Sequence, residues 1–263
     1  MRALAIAKKE LNVYFTTPIA YVVFTVVAFF AALFFSGSVD AYRTFVMRVS
    51  PYEAQGLMER LNLTDVVVSR LFGSVAILFI LAAPLLSMRL IADEKRARTF
   101  ELLMTTPVRP RDIVLGKYLA ALAVMAVSVG IVGLFPALLS FFAKGAQGGS
   151  GVEWQTVGTG VLGLFLLGAM AMAIGMFVSS LTESVLVAAL VSFIVLIALW
   201  VTTIFTIGAE GPVKELAQGL SASEHLGAFL QGRIELKSVV YYLSLIVLSL
   251  WLTDRAIEGH RWA

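Results

Sequence analysis

The residue types that catalysis and metal binding require are sparse in this sequence and form no catalytic pattern. A hydrolase needs a nucleophile with a base, or a metal with His and Asp ligands. The two histidines, His225 and His260, belong to no H-E-x-x-H motif, no G-x-S-x-G occurs, and Gly116-Lys117 lacks the flanking residues of a Walker A motif. With no cysteine, disulfides and thiolate metal sites are excluded. We therefore expect a chain that is not an enzyme, carries no metal or cofactor, and takes any energy it uses from another protein.

The charged side chains concentrate in one block, residues 92–112 (ADEKRARTFELLMTTPVRPRD). The block packs four acids and five bases into a chain that is 59% hydrophobic and 14% charged, whereas soluble domains carry about 25% charged residues. Its residues 93–104 can form a short amphipathic helix. If the block were only a solvated anchor beside a membrane, its bases would be explained. The acids Glu94 and Glu101, and an apolar Phe100 held at the surface, would not be explained. The block is therefore a candidate docking surface.

Six long apolar runs lie before and after this block in the chain. The elements that they form must position it. Continuous apolar runs approaching the length of about 20 residues, rather than alternating patterns, indicate helices that span a membrane. The expected fold class is all-α, a polytopic membrane protein with six transmembrane helices in one domain over 1–263. The expected transmembrane helices cover residues 19–35, 73–88, 118–142, 157–181, 185–207 and 239–252. No ionisable residue lies in the core of a run, which disfavours a proton-coupled carrier.

The N-terminal segment, residues 1–17, is expected to be an interfacial helix. Apolar residues recur there at helical spacing, and Lys8, Lys9 and Glu10 supply its charged groups. Thr17-Pro18 predicts a break before the first span. The alternative is an irregular start to that span, with both lysines reaching back to the membrane surface.

Two polar segments, 36–70 and 208–238, are expected on the outer face. The first is an outer connection between spans one and two. The second should contain two short helices. Its helix signals are Pro212 in a first turn, a Ser221-x-x-Glu224 capping box, and Gly219 and Gly232 as stops.

Spans three and four are rich in small residues. Ala126 with Gly130, and Ala171 with Gly175, form small-xxx-small pairs that allow helix backbones to approach closely. Most of these residues are expected to pack the bundle internally. The alternative is that one such face forms a dimer contact.

The distribution of basic residues predicts the orientation of the chain. Of the 20 Lys and Arg residues, twelve lie before span one, between spans two and three, or after span six, and eight lie on the other side. The excess places both termini and the charged block in the cytoplasm. Because the bases flank apolar spans, the net charge of +3 does not indicate a nucleic-acid partner.

Two stretches resemble a known family. Residues 88–120 (MRLIADEKRARTFELLMTTPVRPRDIVLGKYLA) resemble the signature that follows the second span of ABC-2 type permeases, the membrane subunits of ABC exporters. Together with residues 8–22 (KKELNVYFTTPIAYV), they are most similar to the branch that contains the gliding-motility-associated permeases. Six spans with cytoplasmic termini match the family over the whole chain.

The resemblance implies a coupling helix within residues 93–112, between transmembrane helices 2 and 3, that docks on a separate ABC ATPase subunit. The residues expected at or beside that contact are Glu94, Arg96, Arg98, Thr99, Phe100, Glu101 and Leu102. The family usually has Gly where this chain has Arg98. The cation is expected to alter the docking angle or to meet an acidic patch on its ATPase.

The expected function is that of the permease subunit of an ATP-driven ABC exporter in the bacterial plasma (inner) membrane. The resemblance implies ATP and Mg on the partner ATPase and a second permease in a homodimer or heterodimer. Further candidate partners are an accessory outer-face protein and the lipid membrane. Two alternatives stay open from the residues alone: a secondary carrier or channel, and a non-transporting membrane scaffold for a cytoplasmic complex.

Overall fold

The computed structural model describes residues 2–48, 64–98, 109–142, 152–206 and 211–260, and these residues contain helices and no strand. A helix satisfies every backbone hydrogen bond within one segment, which a chain in lipid requires. In chain order, α1 to α10 are Arg2–Thr16, Pro18–Arg48, Ser69–Ser87, Ala92–Arg96, Pro110–Phe142, Trp154–Leu181, Val185–Val201, Pro212–Leu220, Ala222–Leu230 and Leu236–His260. A π-helical turn, Thr64–Val68, precedes α3, and a 3-10 turn, Thr202–Thr206, follows α7.

Six of these helices are long and apolar enough to cross a membrane, which confirms the expected all-α fold class. They are α2, α3, α5, α6, α7 and α10. Some extend well beyond their apolar runs. Helix α2 continues as far as Arg48, into the sequence expected to form the outer connection, and α10 reaches His260. The apolar run therefore covers only part of such a helix, because polar residues are tolerated where the helix leaves the hydrocarbon.

The bundle has two distinct ends. At one, which we call the terminal end, the start of α5 meets the last turns of α10, and Arg111 Nε lies 3.3 Å from Asp254 Oδ2. At the other, the far end, α8 and α9 pack beside the start of α10, where the Tyr241 hydroxyl donates to Leu220 O at 2.7 Å. Helices α1 and α4 belong to the terminal end.

The helix signals predicted for the far end are confirmed except at Gly219. Pro212 is the first residue of α8, and Ser221 Oγ accepts a hydrogen bond from the Glu224 N–H at 3.4 Å as the N-cap of α9. Gly232 follows α9 with a φ of 77°, a left-handed conformation that favours Gly. Gly219 is not a stop, because α8 continues to Leu220.

Helix α6 is the central helix of the bundle and packs against α3, α5, α7, α9 and α10. Four of its glycines lie where an added Cβ would come within 3 Å of a side chain on another element. These pairs are Gly160 with Phe72, Gly163 with Phe229, Gly168 with Met125, and Gly175 with Ser87. Small residues on α6 therefore allow its neighbours to approach closely.

The two small-residue pairs have different surroundings. The internal packing expected of Ala171 and Gly175 is confirmed, since Ala171 is fully buried and Gly175 contacts α3. Ala126 and Gly130 are exposed, and a Cβ at Gly130 would meet nothing within 4 Å among the described residues. The dimer contact considered for such a face stays a prediction.

Candidate functional site

A buried cluster of three charged side chains joins three elements at the terminal end. Lys117 of α5 donates from Nζ to Glu94 Oε1 of α4 at 2.8 Å and to Glu10 Oε1 of α1 at 3.2 Å. The Lys117 side chain is only 3% exposed, and those of Glu10 and Glu94 are 12% and 21% exposed. Charges withdrawn from water interact more strongly than exposed pairs. The cluster therefore fixes the positions of α1, α4 and α5 relative to one another.

A glycine beside Lys117 allows α1 to reach this cluster. A Cβ at Gly116 would lie 2.7 Å from Ile6 Cβ and 2.8 Å from Ala3 O, so the two helix backbones are nearly in contact. Thr17 then separates α1 from α2, as its sequence predicted, with its N–H bonded to Val13 O at 3.0 Å. A larger residue at position 116 would push α1 away and separate Glu10 from its cation.

The charged side chains of helix α1 lie on two different sides of the helix. Lys8 and Lys9 are exposed, whereas Glu10 faces the cluster. One turn later, the Tyr14 hydroxyl donates to Leu86 O at 3.1 Å. Burial, and to a smaller extent the Glu10 carboxylate, raises the pKa of Tyr14, so its hydroxyl keeps the proton that it donates. Helix α1 is thus attached to the end of α3 as well as to α5.

Helix α4 is held in place by the end of α6. Its five residues are too few to form a stable helix alone. Ser179 Oγ accepts hydrogen bonds from the N–H groups of Ile91 and Ala92 at 3.2 and 3.0 Å. Lys95 Nζ donates to Ser180 O at 2.5 Å. Ser179 therefore satisfies backbone donors at the start of α4 that the helix cannot satisfy itself.

The helix predicted over 93–104 is interrupted after Arg96, and its residues 99–104 lie outside the described residues. Helix α4 ends at Arg96, its C-cap Ala97 has a φ of −77°, and Arg98 has a φ of 54°. A left-handed residue ends an α-helix, and Gly adopts that conformation without a steric cost. The backbone thus gives a physical reason for the Gly that the resembled family usually has where this chain has Arg98. Helix α5 begins at Pro110 and has Asp112 in its first turn.

The structure describes three of the seven residues expected at the ATPase contact. Glu94 belongs to the buried cluster, whereas Arg96 and Arg98 are exposed. Outside the described residues lie Thr99, Phe100, Glu101 and Leu102. The described part of the expected contact therefore has one acid that faces inward, Glu94, followed by two exposed bases, Arg96 and Arg98.

Arg98→Gly is expected to raise the free energy of unfolding by about 1 kcal/mol, because a left-handed residue with a Cβ carries a steric cost of about that size. In thermal unfolding of the purified chain this corresponds to a rise of about 2–4 °C. The matched control is Ala97→Gly, since Ala97 has a φ of −77° and gains nothing from glycine. Equal effects of the two substitutions would show that the conformation of Arg98 stores no strain.

Sequence reasoning missed the pairing of Lys117 with Glu10 and Glu94. In the sequence, Lys117 counts only as one of the basic residues between spans two and three, and its partners are 107 and 23 residues away in the chain. The available signal was a lysine close to the start of an apolar run, which needs an acidic partner if it is buried. The sequence offers several acids at this end, so it could not identify the partners.

His225 lies at the far end of the bundle. Its side chain is buried, and both ring nitrogens are hydrogen-bonded. It is 3% exposed, and its ring stacks on Tyr241 with centroids 4.1 Å apart. Nε2 lies 3.1 Å from Gly219 O, and Nδ1 lies 3.1 Å from Ser238 Oγ. Because a carbonyl only accepts, Nε2 carries the proton in the neutral ring and Nδ1 accepts from the serine hydroxyl. His225 therefore ties α8 and α9 to α10.

Burial is the largest influence on the pKa of His225 and lowers it. The hydrogen bond to the Gly219 carbonyl raises the pKa by less, Lys237 lowers it, and Glu235 and Glu224 raise it by the smallest amounts. The unfolded chain, with an imidazole pKa of about 6.5, therefore binds a proton before the folded chain does. Stability from this group is complete above about pH 6.5 and is lost as the pH falls below it.

Lowering the pH from about 7.5 to 5.5 is expected to lower the melting temperature through His225 by about 2–4 °C. His225→Gln, which cannot titrate, should remove this part of the pH dependence. The control is His260→Gln at the last residue of α10, which should keep it. The measurement is the difference in melting temperature between the two variants at each pH. If both melting temperatures change with pH in parallel, His225 is not the titrating group.

Contacts at the terminal end connect α4 to several other helices. In the ranges that the structure describes, no group of three or more His, Asp or Glu side chains could hold a metal ion. Instead, ion pairs and hydrogen bonds join α4 to α1 and α5 through Lys117 and to α6 through Ser179. A force on α4 therefore reaches three other helices.

A comparison with protein families matches most of the chain. The family model described as ABC-2 family transporter protein matches residues 4–252. No curated protein matched the chain. The family match extends over most of the chain and includes all of α2 to α9. With six helices able to span a membrane, the chain belongs to the ABC-2 family of transporter proteins and is a membrane permease of an ABC transporter.

Proposed function

We propose that this chain couples ATP hydrolysis by a separate ABC ATPase subunit to export, or membrane extraction, of a substrate. In this proposal α4, with the chain that follows it to Asp112, docks on the ATPase. The observation that carries the proposal is that α4 is attached to three helices by Lys117 and Ser179, while Arg96 and Arg98 remain exposed. An isolated topological anchor would not need those attachments.

The proposed mechanism is a mechanical relay. ATP binding would close two ATPase subunits, and the motion would push on α4. Because Lys117 ties α4 to α1 and α5, and Ser179 ties it to α6, these helices would be displaced together. Packed helices transmit such displacements as rigid elements. The exposed bases would then hold α4 on an acidic surface of the ATPase.

The proposed complex contains a second permease, as a homodimer or heterodimer, and ATP with Mg²⁺ on the ATPase subunits. The excess of basic residues supports a cytoplasmic position for the terminal end and for both termini, in a bacterial inner membrane. An accessory outer-face protein would meet α8 and α9. The closer similarity to gliding-motility-associated permeases rests on residues 8–22 and 88–120 and stays a prediction.

The experiment that tests docking is co-purification. The tagged chain is extracted in mild detergent, bound chains are identified, and ATP hydrolysis is measured. Arg96→Glu with Arg98→Glu should lower the amount of bound ATPase about tenfold or more, because reversing interfacial charges costs several kcal/mol. Hydrolysis that depends on the permease should fall with it.

The matched control is Lys214→Glu, which reverses an exposed base on α8 at the far end. It should bind the ATPase like the wild type. Docking at α4 is rejected if the double variant also keeps its ATPase and its hydrolysis. Transport that continues without nucleotide would favour a carrier or channel, and a bound ATPase without any transported substrate would favour a scaffold.

A further inference from the structure

A cavity of about 330 Å³ opens at the terminal end between α1, the start of α2, the end of α3 and α4. Its volume lies within the range of about 300–1,000 Å³ that is usual for ligand sites. Ile19 in the first turn of α2 and Leu85 in the last turn of α3 line it. These residues end two spans, so the cavity lies where the hydrocarbon meets the polar headgroups.

Equal numbers of acidic and basic side chains line the cavity, but some are buried and others lie closer to solvent. The buried side contains the Lys117 ammonium with the Glu10 and Glu94 carboxylates. Closer to solvent, the exposed lining groups are two bases, Lys9 and Arg89, and one acid, Asp93. Three bases and three acids thus give a site with no net charge whose interior is acidic.

Two of these groups are available to a ligand. Among the described residues, Arg89 and Asp93 take part in no ion pair, although both line the same cavity. A guanidinium is the side chain best suited to a phosphate, which it can hold with two parallel hydrogen bonds. A carboxylate accepts hydrogen bonds from an ammonium.

We propose that this cavity binds the headgroup of a phospholipid with a primary ammonium, of the phosphatidylethanolamine class. Arg89 holds the phosphate, which lies next to the glycerol and so nearer the hydrocarbon. The terminal ammonium donates to Asp93, the exposed acid of the lining. The acyl chains run along Leu85, which is 51% exposed on α3.

The charge pattern selects this class over other phospholipids. A phosphatidylglycerol headgroup has a phosphate but no cation, and would place its net negative charge beside Glu10, Glu94 and Asp93. A phosphatidylcholine headgroup is zwitterionic, but its trimethylammonium has no N–H to donate. Of the three headgroups, only the one with a primary ammonium offers both a phosphate to Arg89 and an N–H donor to Asp93. The inference concerns the membrane side of α1 and α3 and does not depend on ATPase docking.

The test is native mass spectrometry of the purified chain after exchange into nanodiscs with equal amounts of phosphatidylethanolamine, phosphatidylglycerol and phosphatidylcholine. The wild type should retain phosphatidylethanolamine about tenfold more than either other lipid, since one hydrogen bond to a charged group contributes about that factor. Arg89→Gln should remove this preference. Asp93→Asn should shift it towards phosphatidylglycerol, because a repelling charge is gone.

The control is Arg70→Gln, an exposed arginine at the start of α3, the helix that ends two residues before Arg89, and it should leave retention unchanged. Melting temperatures of all variants show whether they are folded, and Arg89→Lys serves as a second variant that keeps the charge without the planar fork. Equal retention of the three lipids by the wild type would overturn the proposal. So would a preference for phosphatidylglycerol, or the same loss in Arg70→Gln as in Arg89→Gln.

Discussion

Lys117→Met is expected to lower the free energy of unfolding by about 3–5 kcal/mol, the cost of removing one partner from a buried ion pair. The substitution leaves Glu10 and Glu94 close together without the cation that both contact. Their repulsion should release α1 and α4 from α5. Thermal unfolding of the purified chain measures the loss, and ATP hydrolysis of the assembled complex should lose its dependence on transport substrate.

The matched variant adds Glu10→Gln and Glu94→Gln to Lys117→Met. It removes both negative charges with the positive one, so no uncompensated charge remains buried, and such replacements are often nearly neutral for stability. We expect the triple variant to recover most of the melting temperature. If the single variant is as stable as the wild type, or the triple variant is no better than the single one, the cluster does not hold these helices together.

Gly175→Ala is expected to lower the free energy of unfolding by about 1–3 kcal/mol through overpacking. The new Cβ would lie 1.9 Å from Ser87 Oγ and 2.6 Å from Ser87 Cβ. Rotating the hydroxyl removes only the first clash, so the backbones of α3 and α6 must separate. That movement would occur next to the serine that holds α4, and it should lower coupled ATP hydrolysis as well as the melting temperature.

Gly130→Ala provides the control, because nothing described lies within 4 Å of a Cβ at that position. There the higher helix propensity of Ala should leave stability unchanged or raise it by about 0.5–1 kcal/mol. Ser87→Gly should rescue Gly175→Ala, since it removes both clashing atoms. Equal destabilisation at positions 130 and 175 would contradict the close approach of α3 and α6.

The sequence predicts the fold because membrane spans follow local rules. A long apolar run must become a helix in lipid, and the break at Thr17, the first turn at Pro212 and the cap at Ser221 are signals within a few residues. The helix ends at Arg48 and His260 could not be found in this way. Polar residues at the membrane surface are compatible with both a helix and a loop.

The candidate site was predicted only in part because its contacts are not local. The charged block contains α4, and the family resemblance implies that this segment meets the ATPase, which stays a prediction. That Glu94 is turned inward depends on Lys117, and the position of the start of α4 depends on Ser179 of α6. The left-handed Arg98 contradicts local helix propensity, which favours Arg within a helix. The first two of these features depend on tertiary contacts, and the third is a strained backbone conformation.

Site-specific labelling tests most directly whether α4 faces the ATPase. The chain has no cysteine, so Arg96→Cys and Lys214→Cys each report one exposed position, on α4 and on α8. In vesicles of known orientation, a membrane-impermeant maleimide should label the two positions from opposite sides. The bound ATPase subunit should protect only Arg96→Cys. Labelling of both positions from one side, or of Arg96→Cys at the same rate with and without the ATPase, would contradict docking at α4.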